Sequence, residues 1–340
     1  MILAWIDKGT KYTMQIRQNA LNNWLKTILG ETPFTVSPLA GDASFRRYFR
    51  LQSQGLVRVI MDAPPNKEPI APFIQIANLF AQHGVHTPAI YAIDEKQGFL
   101  LLEDLGDALL LNVICAENVD ALYTMAMTTL LDIQQIPASM LPSFDPSFMR
   151  QELSLFSEWF LKQHLGLQLT SEENQLIQDT VDWLTTQLSH QPQVVIHRDY
   201  HSRNLIALSD GLGVIDFQDA MRGPYTYDLV SLLKDCYIQW PRKKILEWVA
   251  YFHQHLPSKN RVSLEAFNRG FDLCGLQRHL KVLGVFCRLH LRDNKPAYLR
   301  DLPLTFNYVM SCLEDYDELQ LFHRFMQDTV QTAFLKKNNP

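Results

Sequence analysis

The sequence predicts an α+β chain of two lobes: a smaller N-terminal lobe on an antiparallel sheet and a larger helical C-terminal lobe. Three observations predict it. Before Gly106, short aromatic and β-branched stretches alternate with turn residues. After Gly106, long segments carry apolar residues at helical spacing. The 340 residues, 47% of them hydrophobic, are also more than one core usually serves.

Residues 15–29 place Leu21, Trp24, Leu25 and Ile28 on one helical face and stop at Gly30. Residues 1–13 are expected as a loose extension; they lack the apolar stretch and small-residue cleavage site of a signal peptide. Strands are predicted over 45–51 and 57–61 around the turn Ser53-Gln54-Gly55, with Pro64 and Pro65 stopping the second. Ile70, Phe73, Ile74, Ala77, Phe80 and Ala81 predict a helix over 70–82 that ends at Gly84. Two further strands fit 89–93 and 99–102. The chain thus divides into an extension and helix (1–30), the N-lobe (31–106) and the C-lobe (107–335). In the C-lobe, helices are expected over 108–135, 146–164 and 172–189, with Trp159, Phe160 and Trp183 as core. A short strand at 194–196 leads into a loop at His197, and strands at 205–208 and 213–215 flank the turn 209–211. From Tyr227 onward the pattern is helical, and 336–340 is expected to be disordered.

A net charge of −5 and a pI near 6.1 argue against a nucleic-acid binder. Cys115, Cys236, Cys274, Cys287 and Cys312 are scattered without a C-x-x-C pair, so neither a zinc knuckle nor a disulfide framework is indicated. Reduced thiols in a cytoplasmic protein are the expectation. The apolar runs are too short to cross a bilayer. No nucleic acid, membrane or obligate protein partner is expected.

The chemistry concentrates in His197-Arg198-Asp199-Tyr200-His201-Ser202-Arg203-Asn204, followed by Asp216-Phe217. This spacing, H-R-D-x-x-x-x-N and then D-F, follows the catalytic loop and metal-binding aspartate of kinases. Phosphoryl transfer needs these residue types. Asp199 is placed to take the proton of a substrate hydroxyl. Asn204 and Asp216 offer oxygen ligands to Mg²⁺, a hard cation that accompanies ATP. Arg198 and His201 are candidates to hold the loop and the Asp199 carboxylate. Asp219, three residues past Asp216, fits a supporting role or plain surface equally well.

His197-x-Asp199-x-His201-x-x-Asn204 with Ile215-Asp216-Phe217, and Gly223-Pro224-x-x-Tyr227-Asp228-Leu229 downstream, resembles the aminoglycoside phosphotransferase-like kinases over roughly residues 35–310. The resemblance implies a protein-kinase-like two-lobe fold and an ATP-dependent phosphotransferase. Residues 39–50 (LAGDASFRRYFR), 61–65 (MDAPP), 102–107 (LEDLGD) and 276–284 (LQRHLKVLG) look like the bacterial anomeric kinases of N-acetylmuramate and N-acetylglucosamine. That closer resemblance implies phosphorylation of the C1 hydroxyl of an amino sugar in cell-wall recycling. In a kinase-like lobe Gly41, Asp42, Ala43 and Ser44 form the loop over the nucleotide phosphates, where small residues let backbone N–H groups approach. The main chain of Glu103 and Leu105 takes the adenine, and Asp228 is expected to brace the catalytic loop.

One departure stands out. The strand that carries a phosphate-binding Lys in kinases reads Val57-Arg58-Val59-Ile60-Met61-Asp62 and has none. Arg58 is out of phase with Met61, and Arg47 is the candidate for the missing charge; Arg46, Arg47 and Arg50 as solvated strand positions are the competing reading. Farther on, Arg278, Lys281, Arg288 and Arg292 recur at spacings that put them on roughly one helical face. Arg278, His279 and Arg288 are the candidates for the substrate, an arginine being suited to the carboxylate of N-acetylmuramate; a solvated basic stripe is the alternative. Two other readings stay open: a kinase of another small alcohol or aminoglycoside, and a nucleotide-binding pseudokinase, which the absent Lys favours and the intact Asp199, Asn204 and Asp216 oppose.

Overall fold

Two units make up the chain in a computed structural model that describes residues 2–39 and 45–338. The first unit runs to Asn78 and adds Thr87–Gly106; the second takes Leu79–His86 and the chain from Asp107 onward.

The first unit contains α1 (Ile2–Leu29), β1 (Thr35–Pro38), β2 (Arg47–Ser53), β3 (Leu56–Asp62), most of α2 (Ala71–Gln82), β4 (Ile90–Asp94) and β5 (Phe99–Glu103). The strands form one antiparallel sheet in the order β1-β2-β3-β5-β4. Ser53 pairs with Leu56 across a two-residue loop in which Gln54 and Gly55 both have positive φ (46° and 83°). Such a turn matches the twist of the paired strands, and Gly tolerates its conformation without a steric penalty. Leu51, Ile60, Phe99 and Leu101 face Leu21, Trp24 and Leu25 of α1, so this helix closes the core of the sheet. The helix begins at Ile2, well ahead of residue 15, and no Pro interrupts it. β1 was not expected. It is short, mostly exposed and ends in Pro38, which an edge strand tolerates.

The second unit is mainly helical. The expected helix over 108–135 is two, α3 (Leu110–Val113) and α4 (Val119–Gln135). Asn118 makes the break: its side chain accepts the Cys115 N–H at 2.7 Å and donates to the Val113 carbonyl at 2.9 Å. α5 (Pro146–Leu155), capped by Asp145 on the Phe148 N–H, runs into a π-helical stretch, Phe156–His164. There Phe160 is buried, while Trp159 and Trp183 are only half-buried. α6 (Ser171–Ser189) opens on a reciprocal Thr170–Glu173 capping box.

β6 (Gln193–Ile196) pairs with β9 (Met221–Pro224), and β7 (Leu205–Ala207) pairs with β8 (Leu212–Val214). The Met-Arg-Gly-Pro sequence of β9 carries no strand signal; its pairing with β6 makes it one. Then follow α7 (Tyr227–Leu233), α8 (Arg242–His255), α9 (Leu264–Leu291), α10 (Leu302–Glu314), α11 (Gln320–Phe325), a second π-helical turn (Met326–Gln331) and α12 (Thr332–Asn338). Residues 336–338, expected to be disordered, complete this last helix, where Lys336 and Lys337 complement the negative end of its dipole. α9 is the axis of the unit, buried on all sides from Phe271 to Gly284. Among the described residues no helix is long and apolar enough to cross a membrane.

Candidate active site

The loop of residues 197–204 leaves β6 at Ile196 and enters β7 at Leu205. Two buried carboxylates hold it. Asp228, in the first turn of α7, accepts the backbone N–H of His197 at 2.6 Å on one oxygen and that of Arg198 at 3.0 Å on the other. Asp235, just past α7, accepts both the N–H (3.0 Å) and the hydroxyl (2.5 Å) of Ser202 on a single oxygen. Between these clamps the Tyr200 hydroxyl donates to the Ala126 carbonyl of α4 at 2.8 Å. The His197 ring meets the Ile215 carbonyl at 3.0 Å, and its other nitrogen lies 3.3 Å from the Asp199 N–H. Each end and the middle of the loop is therefore tied to the surrounding helices.

Arg198 and Asp216 both adopt positive φ (77° and 61°), a conformation costly for a non-glycine residue and held only where neighbours over-determine it. Asp216 follows β8, whose strand end is joined to the loop by the Ile215 N–H on the Asn204 carbonyl at 3.0 Å. This brings Asn204 beside Asp216, with the amide nitrogen 3.5 Å from the carboxylate. The same nitrogen donates to the Asp199 carbonyl at 2.9 Å, which leaves the amide oxygen for another partner. Gln218 holds the other Asp216 oxygen at 2.9 Å. All the groups on offer are hard oxygens, the donor chemistry a magnesium ion takes. Among the described residues no cluster of three or more His, Cys, Asp or Glu side chains could hold a metal by itself.

Asp199 is surrounded by cations. Burial opposes its charge, but Lys281, Arg278, His201 and Arg198 outweigh burial and hold the carboxyl below the ordinary range. Glu152 of α5 gathers two of these cations, Arg198 at 2.8 Å and Lys281 at 3.2 Å. Arg278 donates to the Ser231 hydroxyl at 2.9 Å. His201 packs edge-on against Tyr237; burial lowers its pKa, with Asp235 and Asp199 pulling the other way. Asp219 is exposed, and its backbone carbonyl lies 3.4 Å from the Arg198 guanidinium.

Other candidates fall differently. His279 is buried with its ring on the Lys234 carbonyl at 2.9 Å and stacked on Tyr308, and burial lowers its pKa to about 3. Those contacts make it a packing residue, because its neighbour Arg278 takes the side of α9 that faces the loop. Arg288 and Arg292 lie a turn or more beyond, beside Asp293, which pairs with Arg292 at 2.8 Å. Arg278 and Lys281 thus form a buried pair, and Arg288 and Arg292 an outer pair.

In the first unit Arg47 does not stand free. Strand register sets it opposite Asp62, which it grips through two nitrogens, and Arg17 of α1 binds the other Asp62 oxygen at 2.5 Å. Arg46 pairs with Glu68 and Arg50 with Asp104, so none of the three arginines is simply solvated. Asp104 also accepts the Gly106 N–H at 2.8 Å. The Glu103 N–H is bonded to the Ala89 carbonyl at 2.8 Å, and its carboxylate accepts the Ala89 N–H at 3.2 Å. Gly41, Asp42, Ala43 and Ser44 lie outside the described residues.

Sequence reasoning missed Glu152, Ser202 and Asp235. Signals existed for two of them. Glu152 interrupts the apolar stripe Met149, Leu153, Phe156 at helical spacing, and Asp235 closes the mostly apolar stretch that begins at Leu229. An acid in such a place is paired when the helix packs.

With the loop, its carboxylate clamps and the Asn204–Asp216 pair in place, comparison with known proteins gives the class. The chain belongs to the phosphotransferase enzyme family (APH), whose model matches residues 35–263. It is a phosphotransferase with a hydroxyl acceptor. Curated relatives narrow the class: the chain is 42% identical over 323 residues to the N-acetylmuramate/N-acetylglucosamine kinase of Pseudomonas putida, covering 94% of this chain and 92% of that protein. It is 40% identical over 333 residues to the protein of the same name from Pseudomonas aeruginosa, covering 93% and 98%. Among solved structures, choline kinase LicA from Streptococcus pneumoniae aligns with a TM-score of 0.63 at 12% identity, over 86% of this chain and 99% of that one. The aminoglycoside 2'-phosphotransferase-IIIa GDP complex aligns with a TM-score of 0.59 at 17% identity, over 86% and 98%. The fold is protein-kinase-like.

Proposed function

We propose that this chain is an ATP- and Mg²⁺-dependent cytoplasmic kinase that phosphorylates the anomeric C1 hydroxyl of N-acetylmuramate, N-acetylglucosamine or both, in peptidoglycan recycling. The observation that carries the reading is the 42% identity, over nearly the whole of both chains, to a kinase named for those two sugars. The site chemistry agrees with it. Asp199 accepts the hydrogen bond of the acceptor hydroxyl and aims its oxygen at the phosphorus. A carboxylate held this firmly ionised is a weak base, so orientation is its larger contribution, with the proton passing late, as a loose phosphoryl-transfer transition state requires. An anomeric hydroxyl suits such a base because it is more acidic than an ordinary sugar alcohol.

Asn204 and Asp216 would hold Mg²⁺, which when bound neutralises charge on the nucleotide phosphates. Residues 41–44 and the main chain of Glu103 and Leu105 are assigned to ATP. Arg17 and Arg47 together exceed Asp62 by one positive charge, and that excess is assigned to the α- and β-phosphates. The test is a coupled ADP-release assay with purified protein, Mg²⁺ and ATP against N-acetylmuramate, N-acetylglucosamine, glucose, choline and an aminoglycoside, with the product examined by ³¹P NMR. ADP release with the two N-acetyl sugars, and a phosphorus coupled to H1, is expected. Release only with choline or the aminoglycoside, or a phosphate on another carbon, would overturn the assignment.

A further inference from the structure

One charged residue of the catalytic loop has no task in the base or metal chemistry. Arg203 stands between Ser202, clamped by Asp235, and Asn204. Its guanidinium carbon lies 3.6 Å over the ring of Tyr237. That ring is edge-on to His201 with centroids 5.4 Å apart and packs on Phe286 at 6.1 Å. Asp235 also accepts the Tyr237 N–H at 3.0 Å, so one buried carboxylate ties both the residue before Arg203 and the backbone that carries the ring beneath it.

Arg203 is partly exposed and forms no ion pair among the described residues. Asp301 feels its charge but makes its own ion pair with Arg300 at 3.6 Å. The cations around Asp199 are engaged: Arg278 with Ser231, and Arg198 and Lys281 with Glu152. A guanidinium resting face-down on an aromatic ring keeps its in-plane N–H edges for an acceptor. Planar, bidentate pairing with a carboxylate is what those edges do best. The aromatic support also fixes the rotamer in advance, which reduces the ordering cost of binding.

We propose that Arg203, backed by Tyr237, binds the carboxylate of an acidic amino-sugar substrate and so sets the preference for N-acetylmuramate over the neutral N-acetylglucosamine. The proposal rests on the amino-sugar reading above. Its test is steady-state kinetics of the full chain, wild type beside Arg203→Gln and Arg203→Lys, with each sugar and with ATP varied in turn. In Arg203→Gln the ratio of kcat/KM for N-acetylmuramate to that for N-acetylglucosamine is expected to fall about 10- to 100-fold, the scale of a hydrogen-bonded charge pair, chiefly through KM of the acidic sugar. Arg203→Lys keeps the charge without the fork and should lie between. Equal losses on both sugars, an unchanged ratio, or a rise confined to the KM of ATP would each overturn the proposal while leaving the amino-sugar reading intact. Wild-type protein inactive on both sugars would overturn that reading and this inference with it.

Discussion

Asp228 accepts the backbone N–H of His197 at 2.6 Å from a carboxylate with no solvent exposure. Its second oxygen holds the Arg198 N–H, so one side chain fixes the peptide that precedes Asp199. Burial pushes the Asp228 pKa up to about 6, against the pull of His197 and the two N–H groups. Protonation removes an acceptor oxygen and loosens the loop, so kcat should fall on the acid side with a midpoint near that value. The stability effect has the opposite sign. Between about 3.9, the ordinary aspartate value, and the raised folded value, the native state keeps a proton that the unfolded chain has lost. The stability this group contributes therefore declines as pH rises through that window. Asp228→Asn should lower kcat about 10- to 100-fold, the scale for losing a group that orients a site residue, and should flatten the acid limb. A limb that persists unchanged in the variant would belong to the substrates instead.

Asp199→Asn tests the base directly. The amide cannot accept a proton, and a general base contributes about 10²- to 10⁴-fold. Sugar-dependent ADP release should drop by that factor while titration with a fluorescent ATP analogue gives an unaltered Kd. Turnover close to wild type would remove Asp199 from the mechanism. The depressed pKa adds a stability term present above the ordinary aspartate value and lost as pH falls below it.

Asp216→Asn probes the cation. The Asp216 carboxylate lies 3.5 Å from the Asn204 amide, so its loss should raise the Mg²⁺ concentration needed for half-maximal activity and lower kcat. EDTA should abolish turnover in the wild type and added Mg²⁺ restore it. Full activity in EDTA would show that no divalent cation is required.

The loop was legible because phosphoryl transfer fixes both residue type and spacing over twenty residues, 197–216, and because local strand and turn signals place them at strand ends. The parts of Glu152, Asp235 and Tyr237 were not, since Glu152 reaches the loop from α5 and the other two from the segment after α7, contacts that only tertiary packing makes. The basic face of α9 shows the same limit. Periodicity set Arg278 and Arg288 on related faces, but one is buried in the site and the other lies ten residues, about 15 Å, along the helix. The antiparallel sheet was readable from its alternation, whereas β1 and β9, with Pro38 and Gly223-Pro224, form strands only because a partner pairs with them.

Glu152 carries a stability prediction. It is 8% exposed and compensates Arg198 and Lys281 together. Glu152→Ala leaves buried Lys281 and half-buried Arg198 short of a partner, a defect that costs up to about 3–5 kcal/mol. Urea unfolding should show the midpoint falling accordingly, and activity should drop because both cations face Asp199. Glu152→Gln, which keeps hydrogen bonds but not charge, should lie between. A midpoint equal to wild type would mean that water already compensates the pair.

Two glycines on α9 should respond in opposite directions to the same substitution. A Cβ at Gly284 would fall 2.3 Å from both the carbonyl carbon and oxygen of Leu155 and 2.7 Å from the Phe156 nitrogen. These are backbone atoms where α5 passes into its π-helical continuation, so no side chain can swing aside; one of the elements must shift. Such overpacking costs about 1–3 kcal/mol. At Gly275 the nearest atom is a Val230 methyl at 3.6 Å, an ordinary contact, and alanine there gains about 0.5–1 kcal/mol from helix propensity. Gly284→Ala should therefore lower the urea midpoint and Gly275→Ala raise it, with m unchanged in both. Lys281 and Arg278 lie one and two turns from Gly284 on the same helix, so Gly284→Ala should also reduce kcat, and Gly275→Ala should not. Equal midpoints for the two variants would mean that α9 does not lie against the Leu155–Phe156 backbone at this spacing.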